Sequence, residues 1–158
     1  MELKTRKELR LKDYDYGTPG AYFVTICTHG KEKLLCNIVG EGLCALPQIK
    51  LTDTGNMVEE SIAYINSTYD TVKVDKYVIM PNHIHLLITI EGTEGHGGPP
   101  LQTIIGRLKS YTTHKYGGIL WQRSFYDHVI RSEKDYQKIW EYIDTNPIKW
   151  ADDCYYSE

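Results

Sequence analysis

The feature that most constrains the fold is a pair of apolar segments separated by a proline–asparagine dipeptide. VKVDKYVIM occupies residues 72–80 and HIHLLITI occupies residues 83–90. Both segments are rich in β-branched and aliphatic residues, and the dipeptide between them favours a turn, so the sequence predicts two adjacent antiparallel strands. Side chains alternate between the two faces of a strand. His83 and His85 are therefore expected on one face, and the other face is expected to be aliphatic, with Ile84, Leu86, Ile88 and Ile90.

Apolar spacing and turn residues predict the other elements. GAYFVTICTHG, at residues 20–30, is typical of a first strand, and residues 33–50 carry weaker signals that suggest a small hairpin or a loop excursion. A short strand or two is expected within residues 119–131. Helices are predicted from about Thr52 to Asn66, from Leu101 to Gly117 and from Ser132 to Asn146. The order β, hairpin, α, β, β, α, β, α predicts an α+β fold in which helices pack on an antiparallel sheet.

Length and composition indicate one domain. The chain has 158 residues, within the range of a single domain, and we expect one domain over residues 1–158 with a basic N-terminal arm at 1–19. EGTEGHGGPP, at residues 91–100, predicts a flexible loop. No apolar stretch approaches the roughly 20 residues that span a bilayer, and the charged N-terminal segment lacks the apolar region of a secretory signal. We therefore expect a cytoplasmic protein.

The charge is unevenly distributed. The net charge of −3 argues against a protein that coats nucleic acid indiscriminately. Basic residues nevertheless concentrate in residues 1–12 and in residues 101–118, and the second segment contains no acidic residue. Each segment can be an ordinary solvated face or a surface that contacts phosphates, and the sequence leaves both interpretations open.

The histidine pair suggests a metal site. Two neutral imidazoles on one face of a strand suit a single divalent cation, and burial favours the neutral, ligating form. The alternative is structural, with one histidine capping a backbone group and the other at the sheet edge. Because two ligands hold a catalytic metal poorly, a third ligand must come from elsewhere in the chain.

Tyr142 and Asn146 are candidates to complete the site. They are four residues apart in the third predicted helix, on one edge beside its apolar stripe. If that stripe packs on the sheet, a phenol and an amide oxygen can face the histidines together. The alternative is a core tyrosine and an asparagine that ends the helix. Tyr136 and Tyr126 are rival phenols.

Three segments together resemble the single-tyrosine HUH transposases, and within them the REP-associated tyrosine transposase-like group. They are RLKDYDYGTPGAYFVTICT, YVIMPNHIHLLI and LWQRSFYDHVIRSEKDYQKIWEYIDTNPIKW, which span roughly residues 10 to 150. The resemblance implies a ferredoxin-like, or RRM-like, fold. It implies that His83 and His85 bind metal, that Tyr142 is the nucleophile and that Asn146 is the third ligand. It further implies Mg²⁺ or Mn²⁺ as cofactor and single-stranded DNA, often with a hairpin, as substrate.

The predicted function is metal-dependent nicking and strand transfer of single-stranded DNA through a 5'-phosphotyrosine intermediate. Two alternatives remain open, a domesticated module that binds nucleic acid without cutting it and a metal-dependent hydrolase in which Tyr142 is structural. The chain is expected to act as a monomer or a homodimer. The residues predicted to contact DNA are basic side chains and one aromatic platform, namely Arg6, Lys7, Arg10, Arg107, Lys109, Lys115 and Trp121.

Overall fold

The structure is a computed structural model that describes residues 11–157, except residues 17, 41–45, 94, 95 and 98. The strands are β1 (Gly20–Cys27), β2 (Cys36–Val39), β3 (Gln48–Leu51), β4 (Val72–Ile79), β5 (His83–Ile90), β6 (Gly92–Thr93), β7 (His96–Gly97) and β8 (Tyr126–Ile130). The helices are α1 (Asp53–Thr68), α2 (Leu101–Tyr116) and α3 (Glu133–Thr145), with short 3-10 turns at His29–Lys31 and Trp150–Asp152. Strands β6 and β7 pair as a small ribbon inside the segment predicted as a loop.

Four strands form an antiparallel sheet in the order β4-β5-β1-β8. Helix α1 connects β1 to β4, and helix α2 connects β5 to β8, so the main elements follow the split βαβ pattern of a ferredoxin-like fold. The predicted α+β class is confirmed. Strands β2 and β3 pair as a separate hairpin between β1 and α1, the first of the two alternatives that the sequence left open there. The histidine-bearing strand β5 therefore lies inside the sheet, between β4 and β1.

The sheet buries both of its faces. On one face, the aliphatic residues of β5 pack with α1 and α2 in a core that includes Ile84, Leu86, Ile62 and Leu108. On the other face, Leu87 and Phe23 join Ile143 of α3 and Trp150 in a second core. Strand alternation predicts this division, because Leu87 has the parity of the histidines and Ile84 does not. His83 and His85 therefore lie on the α3 side.

The helix ends follow from local side chains. The Thr52 hydroxyl accepts a hydrogen bond from the Gly55 amide at 3.1 Å, and the Ser132 hydroxyl accepts one from the Asp135 amide at 3.1 Å. Each satisfies a donor that the first turn of a helix leaves without a backbone partner. Gly117 ends α2 in the left-handed region, at φ 77°. These N-caps fix the residues at which α1 and α3 begin.

Among the helices in the described part of the chain, none combines the length and the apolar character that crossing a membrane requires.

Candidate active site

The two histidines of β5 converge on one point. Both side chains are buried, and their Nε2 atoms lie 3.1 Å apart. Two nitrogen lone pairs repel each other at this distance unless a proton or a cation lies between them. The partners of the opposite ring nitrogens therefore decide what the pair can bind.

Asn82 determines the tautomer of His83. The Asn82 Nδ2 group donates to the backbone oxygens of Tyr155, at 2.7 Å, and Lys31, at 3.4 Å. The amide oxygen is thereby directed at His83 Nδ1, 2.8 Å away. Because this oxygen can only accept, Nδ1 of His83 carries the proton and its Nε2 presents a lone pair.

Thr25 is the corresponding partner of His85. It faces His85 across the pairing of β1 with β5, and its Oγ1 lies 2.8 Å from His85 Nδ1. A hydroxyl can donate or accept, so this contact is compatible with either tautomer of His85. When the hydroxyl accepts, Nε2 of His85 also presents a lone pair, toward the same point as Nε2 of His83.

Burial keeps both imidazoles neutral. It lowers the pKa of His83 to about 4, although nearby Asp153 and Asn146 act in the opposite direction. Burial likewise lowers the pKa of His85 well below 6.5, and the proximity of His83 lowers it further. Neutral imidazole is the metal-ligating form of histidine, so at neutral pH the pair is ready to coordinate.

Helix α3 packs its apolar stripe on the sheet and brings Tyr142 and Asn146 to the side of the histidines. The Tyr142 ring meets His85 edge-on, with ring centroids 5.2 Å apart, and its side chain is 39% exposed. Burial raises the pKa of Tyr142, Asp153 raises it further, and Asn146 partly offsets the increase. Asn146 itself is buried, and its Oδ1 atom has no hydrogen-bond partner among the described residues. A half-exposed phenol and a buried oxygen acceptor thus share one end of α3.

The C-terminal segment contributes two residues that sequence reasoning missed. Asp153 Oδ2 lies 3.8 Å from His83 Nε2 and, like Asn146 Oδ1, is buried without a hydrogen-bond partner in the part of the chain that the structure describes. The Tyr155 ring lies against His83, with centroids 4.6 Å apart. The segment DDCYY has no periodic pattern that would predict its position, so only the tertiary structure places it over the histidines.

The donor set fits a divalent cation. Ligand atoms of His83, His85 and Asp153 all lie within 4.8 Å of one another. Two imidazole nitrogens with a carboxylate and an amide oxygen form a mixed nitrogen and oxygen set, which suits Mn²⁺ and accommodates Mg²⁺. Asn146 Oδ1 and Asp153 Oδ2 are buried and have no hydrogen-bond partner within the described ranges, which is costly, and a cation would satisfy both.

A cavity of about 270 Å³ opens beside this cluster. The residues that line it are mostly aromatic or polar, namely Phe23, Thr25, His85, Tyr126, Ile139, Tyr142, Cys154 and Tyr155. Tyr136, a rival phenol, lies elsewhere on α3, and its hydroxyl donates to Asp75 Oδ2 at 3.0 Å. Tyr126, the second rival, lines the cavity. Of these three candidate nucleophiles, Tyr142 is the one whose ring contacts a histidine of the pair, among the ring contacts of the described residues.

The structure separates the predicted DNA contacts from this cluster. Trp121 is 5% exposed and donates through Nε1 to Thr112 at 2.8 Å, so it belongs to the core and not to an accessible stacking platform, which corrects that prediction. Lys109 is bound to the backbone oxygens of Gln122 and Arg123. Arg107 and Lys115 lie on α2, across the sheet from the histidines.

Arg107 and Lys115 also have local partners. Arg107 donates to the Tyr69 hydroxyl, and Lys115 Nζ lies 3.8 Å from Glu60. Both side chains remain on a face that the histidines do not share, so a DNA contact there would be remote from Tyr142. The predicted contacts Arg6, Lys7 and Arg10 fall outside the described residues.

Comparison with known proteins places these features in a family. No protein-family model matches the chain. An uncharacterized protein of Haemophilus influenzae is 38% identical over 173 aligned residues, which cover 96% of the chain and 93% of that protein. A REP-associated tyrosine transposase of Escherichia coli is 31% identical over 78 residues, covering 49% of the chain and 45% of the transposase. That alignment thus spans about half of each protein.

A solved structure shares the fold. The REP-associated tyrosine transposase bound to a REP hairpin superposes with a TM-score of 0.66 at 23% identity, and the match covers 89% of the chain and 73% of that protein. At this identity the likeness establishes the βαββαβ architecture and no more. The sequence relationship to proteins named REP-associated tyrosine transposases, over about half of the chain, supports this family, and the shared fold agrees with it.

Proposed function

We propose that the chain is a metal-dependent enzyme that nicks single-stranded DNA and transfers the strand through a 5'-phosphotyrosine on Tyr142. The observation that carries the proposal is the convergence of a half-exposed phenol, two neutral imidazoles and two buried oxygens that have no hydrogen-bond partner among the described residues. The phenol of Tyr142 meets His85, and the imidazole of His83 lies 3.8 Å from the Asp153 carboxylate. These groups are the minimum that phosphoryl transfer to a tyrosine requires, a nucleophile beside a site for positive charge.

The chain's residues have separate roles at this site. His83, His85, Asn146 and Asp153 would hold Mg²⁺ or Mn²⁺. The bound cation would supply charge neutralisation at the scissile phosphate, whose negative charge repels a nucleophile. Burial of both histidines excludes water from one side of the site and keeps both rings neutral, so that each can present one nitrogen lone pair to the cation. Asn146 sits one helical turn from Tyr142, so one rigid element would align the nucleophile with a ligand.

The proposed step exchanges one phosphoester for another. The Tyr142 oxygen forms a bond to phosphorus and loses its proton, while the bond from phosphorus to the 3'-oxygen breaks and that oxygen gains a proton. The product is a 5'-phosphotyrosine and a free 3'-OH. Because the bond energy is retained in the phosphotyrosine, the 3'-OH of a second strand can reverse the step and join the strands without a nucleotide cofactor. The raised pKa of Tyr142 means that the phenol must be deprotonated as it attacks.

The surroundings of Tyr142 support a single strand as substrate. The neighbouring cavity of about 270 Å³ is lined by the rings of Tyr126, which is 48% exposed, and of Tyr155. Aromatic side chains stack on unpaired bases largely without regard to sequence, and bases in a duplex do not expose these faces. The solved relative is bound to a REP hairpin, which makes single strands flanking a hairpin the first substrates to test.

The experiment is an adduct assay. The purified chain is incubated with labelled single-stranded DNA carrying a hairpin, in Mn²⁺, Mg²⁺ or EDTA, and the products are separated under denaturing conditions. We expect a labelled protein–DNA adduct that requires the cation and that Tyr142→Phe abolishes. Tyr136→Phe is the matched control, because it removes a phenol from the same helix outside the cavity and is expected to retain the adduct.

The rival functions predict different products. Binding of the labelled strand by the unsubstituted chain without any cleavage would favour the non-cleaving module. Cation-dependent cleavage that survives Tyr142→Phe would favour a hydrolase without a covalent step. Either result would overturn the proposed mechanism.

A further inference from the structure

Asn82 occupies the turn between β4 and β5 and is fully enclosed. Its side chain is 1% exposed. Its backbone oxygen accepts from the Thr28 amide at 2.9 Å and from the Thr28 hydroxyl at 3.1 Å. Thr28 is itself buried and follows directly after β1. The contacts with Thr28 therefore fix the position of Asn82 beside the sheet. Its side-chain amide can in turn orient the groups with which it forms hydrogen bonds.

One end of this amide orients His83. The Asn82 Oδ1 atom accepts from His83 Nδ1 at 2.8 Å, which holds the ring with Nε2 directed at Nε2 of His85. Partners of this kind fix the tautomer and the ring orientation of a ligating histidine.

The other end holds the C-terminal segment. The Asn82 Nδ2 group donates to the backbone oxygen of Tyr155 at 2.7 Å. The backbone amide of Tyr155 donates to Asp153 Oδ1 at 2.8 Å. The second carboxylate oxygen, Oδ2, is then the atom that lies 3.8 Å from His83 Nε2. A continuous series of two hydrogen bonds thus runs from Asn82 through Tyr155 to the carboxylate of Asp153.

We propose that Asn82 is a positioning residue that orients two ligands of the metal centre at once, His83 through its amide oxygen and Asp153 through its amide nitrogen. The inference rests on the proposed metal site and extends it. It assigns a function to the asparagine of the segment MPNHIH beyond turn formation. It also explains how Tyr155, near the C-terminus, is held against a turn 73 residues earlier in the chain.

The test is a double-substitution cycle on Mn²⁺ affinity, measured by electron paramagnetic resonance or calorimetry on the full chain without DNA. Removing an outer-shell partner of a ligand typically lowers metal affinity by about 10- to 100-fold, and we expect a loss in this range for Asn82→Ala. In the Asp153→Asn background the loss should be several-fold smaller, because the part that Asn82 exerts through Asp153 is already gone. Thr25→Val is the matched control, because the Thr25 hydroxyl contacts His85 and also affects the Tyr155 phenol, and neither contact includes the Asp153 carboxylate. Its cost should therefore be the same in both backgrounds.

A spectroscopic measurement separates the two ends of the amide. In ¹⁵N spectra of the histidine rings, the unsubstituted chain should show His83 protonated at Nδ1. Asn82→Asp keeps an acceptor for this proton and removes the donor to Tyr155, so it should retain the tautomer. Asn82→Ala should lose it. Thermal unfolding in EDTA reports whether each variant is folded.

The outcomes are distinct. Equal losses for Asn82→Ala in the two backgrounds would overturn the coupling to Asp153. His83 protonated at Nε2 in the unsubstituted chain would overturn the role of Asn82 even if no variant folds. If the unsubstituted chain binds no Mn²⁺, the proposed metal centre fails and this inference fails with it. If Mn²⁺ binds normally but no DNA adduct forms, only the proposed reaction fails.

Discussion

The hydroxyl of Thr25 lies 2.8 Å from Nδ1 of His85, directly across the pairing of β1 with β5. Both residues are buried, so leaving either of them without this hydrogen bond would be costly. His85 has its other nitrogen directed at His83, and His83 has a buried amide on its far side. The Nδ1 atoms of the two imidazoles therefore contact different elements. His85 contacts the hydroxyl of Thr25 on β1, and His83 contacts the amide of Asn82 in the turn before β5.

Thr25→Val should weaken metal binding while preserving shape. The substitution keeps the volume of the side chain and removes the hydroxyl, so His85 loses the partner that fixes its ring. We expect Mn²⁺ affinity to fall by about 10- to 100-fold, as for other outer-shell partners. Thr25→Ser retains the hydroxyl and should bind within a few-fold of the unsubstituted chain. Calorimetric titration checks both, and equal affinities for the valine and serine variants would show that the hydroxyl has no such role.

Asp153→Asn should also reduce Mn²⁺ affinity, by at least about 10-fold, because it removes a charge from the site while preserving size. The carboxylate is buried and has an oxygen without a partner among the described residues, so its replacement should leave the fold intact. Asp152→Asn is the control, since that side chain is exposed and adjacent in sequence. Titrations that give the same affinity for both variants would remove Asp153 from the ligand set.

Trp121→Phe should lower stability and leave DNA affinity unchanged. The indole N–H donates to the buried hydroxyl of Thr112 at 2.8 Å, and phenylalanine cannot replace that donor. Loss of one partner of a buried hydrogen bond costs about 1–3 kcal/mol of unfolding free energy. Urea denaturation measures this cost, and fluorescence anisotropy with a labelled single strand measures binding. Weaker DNA binding at unchanged stability would restore Trp121 as a stacking platform.

Two glycines in helices should respond oppositely to alanine. A Cβ at Gly55 would lie 2.0 Å from the backbone oxygen of Leu35, which also accepts from Thr52 and is held in place by it. Such overpacking costs about 1–3 kcal/mol or more, so Gly55→Ala should destabilise the chain. A Cβ at Gly106 would meet no atom of the described residues within 4 Å, so Gly106→Ala should stabilise α2 by about 0.5–1 kcal/mol.

Urea denaturation of the two glycine variants provides the measurement, and each variant is the control for the other. A stabilising Gly55→Ala would mean that α1 does not approach the loop before β2 this closely. A destabilising Gly106→Ala would mean that this position on α2 has a neighbour that the described residues do not include.

Several features of the fold and site could be predicted because they are encoded locally. Strand alternation assigned His83 and His85 to one face and the aliphatic residues of β5 to the other. Capping side chains at Thr52 and Ser132 set the beginnings of α1 and α3. The spacing of Tyr142 and Asn146 put a phenol and an amide on one helix edge. Each of these inferences uses residues within a few positions of one another, where backbone geometry alone determines which side chains share a face.

Other features were decided only by tertiary packing. Asp153 and Tyr155 reach the histidines because Asn82, in a distant turn, binds the C-terminal backbone. Trp121 was predicted to face DNA and instead fills the core, and Arg107 and Lys115 lie across the sheet from Tyr142. The sequence by itself determined which side chains point the same way along each strand and helix. Only the tertiary structure decided which of those surfaces meet. Contacts between distant segments depend on how whole faces pack, and the local spacing of residues along the sequence carries no information about that packing.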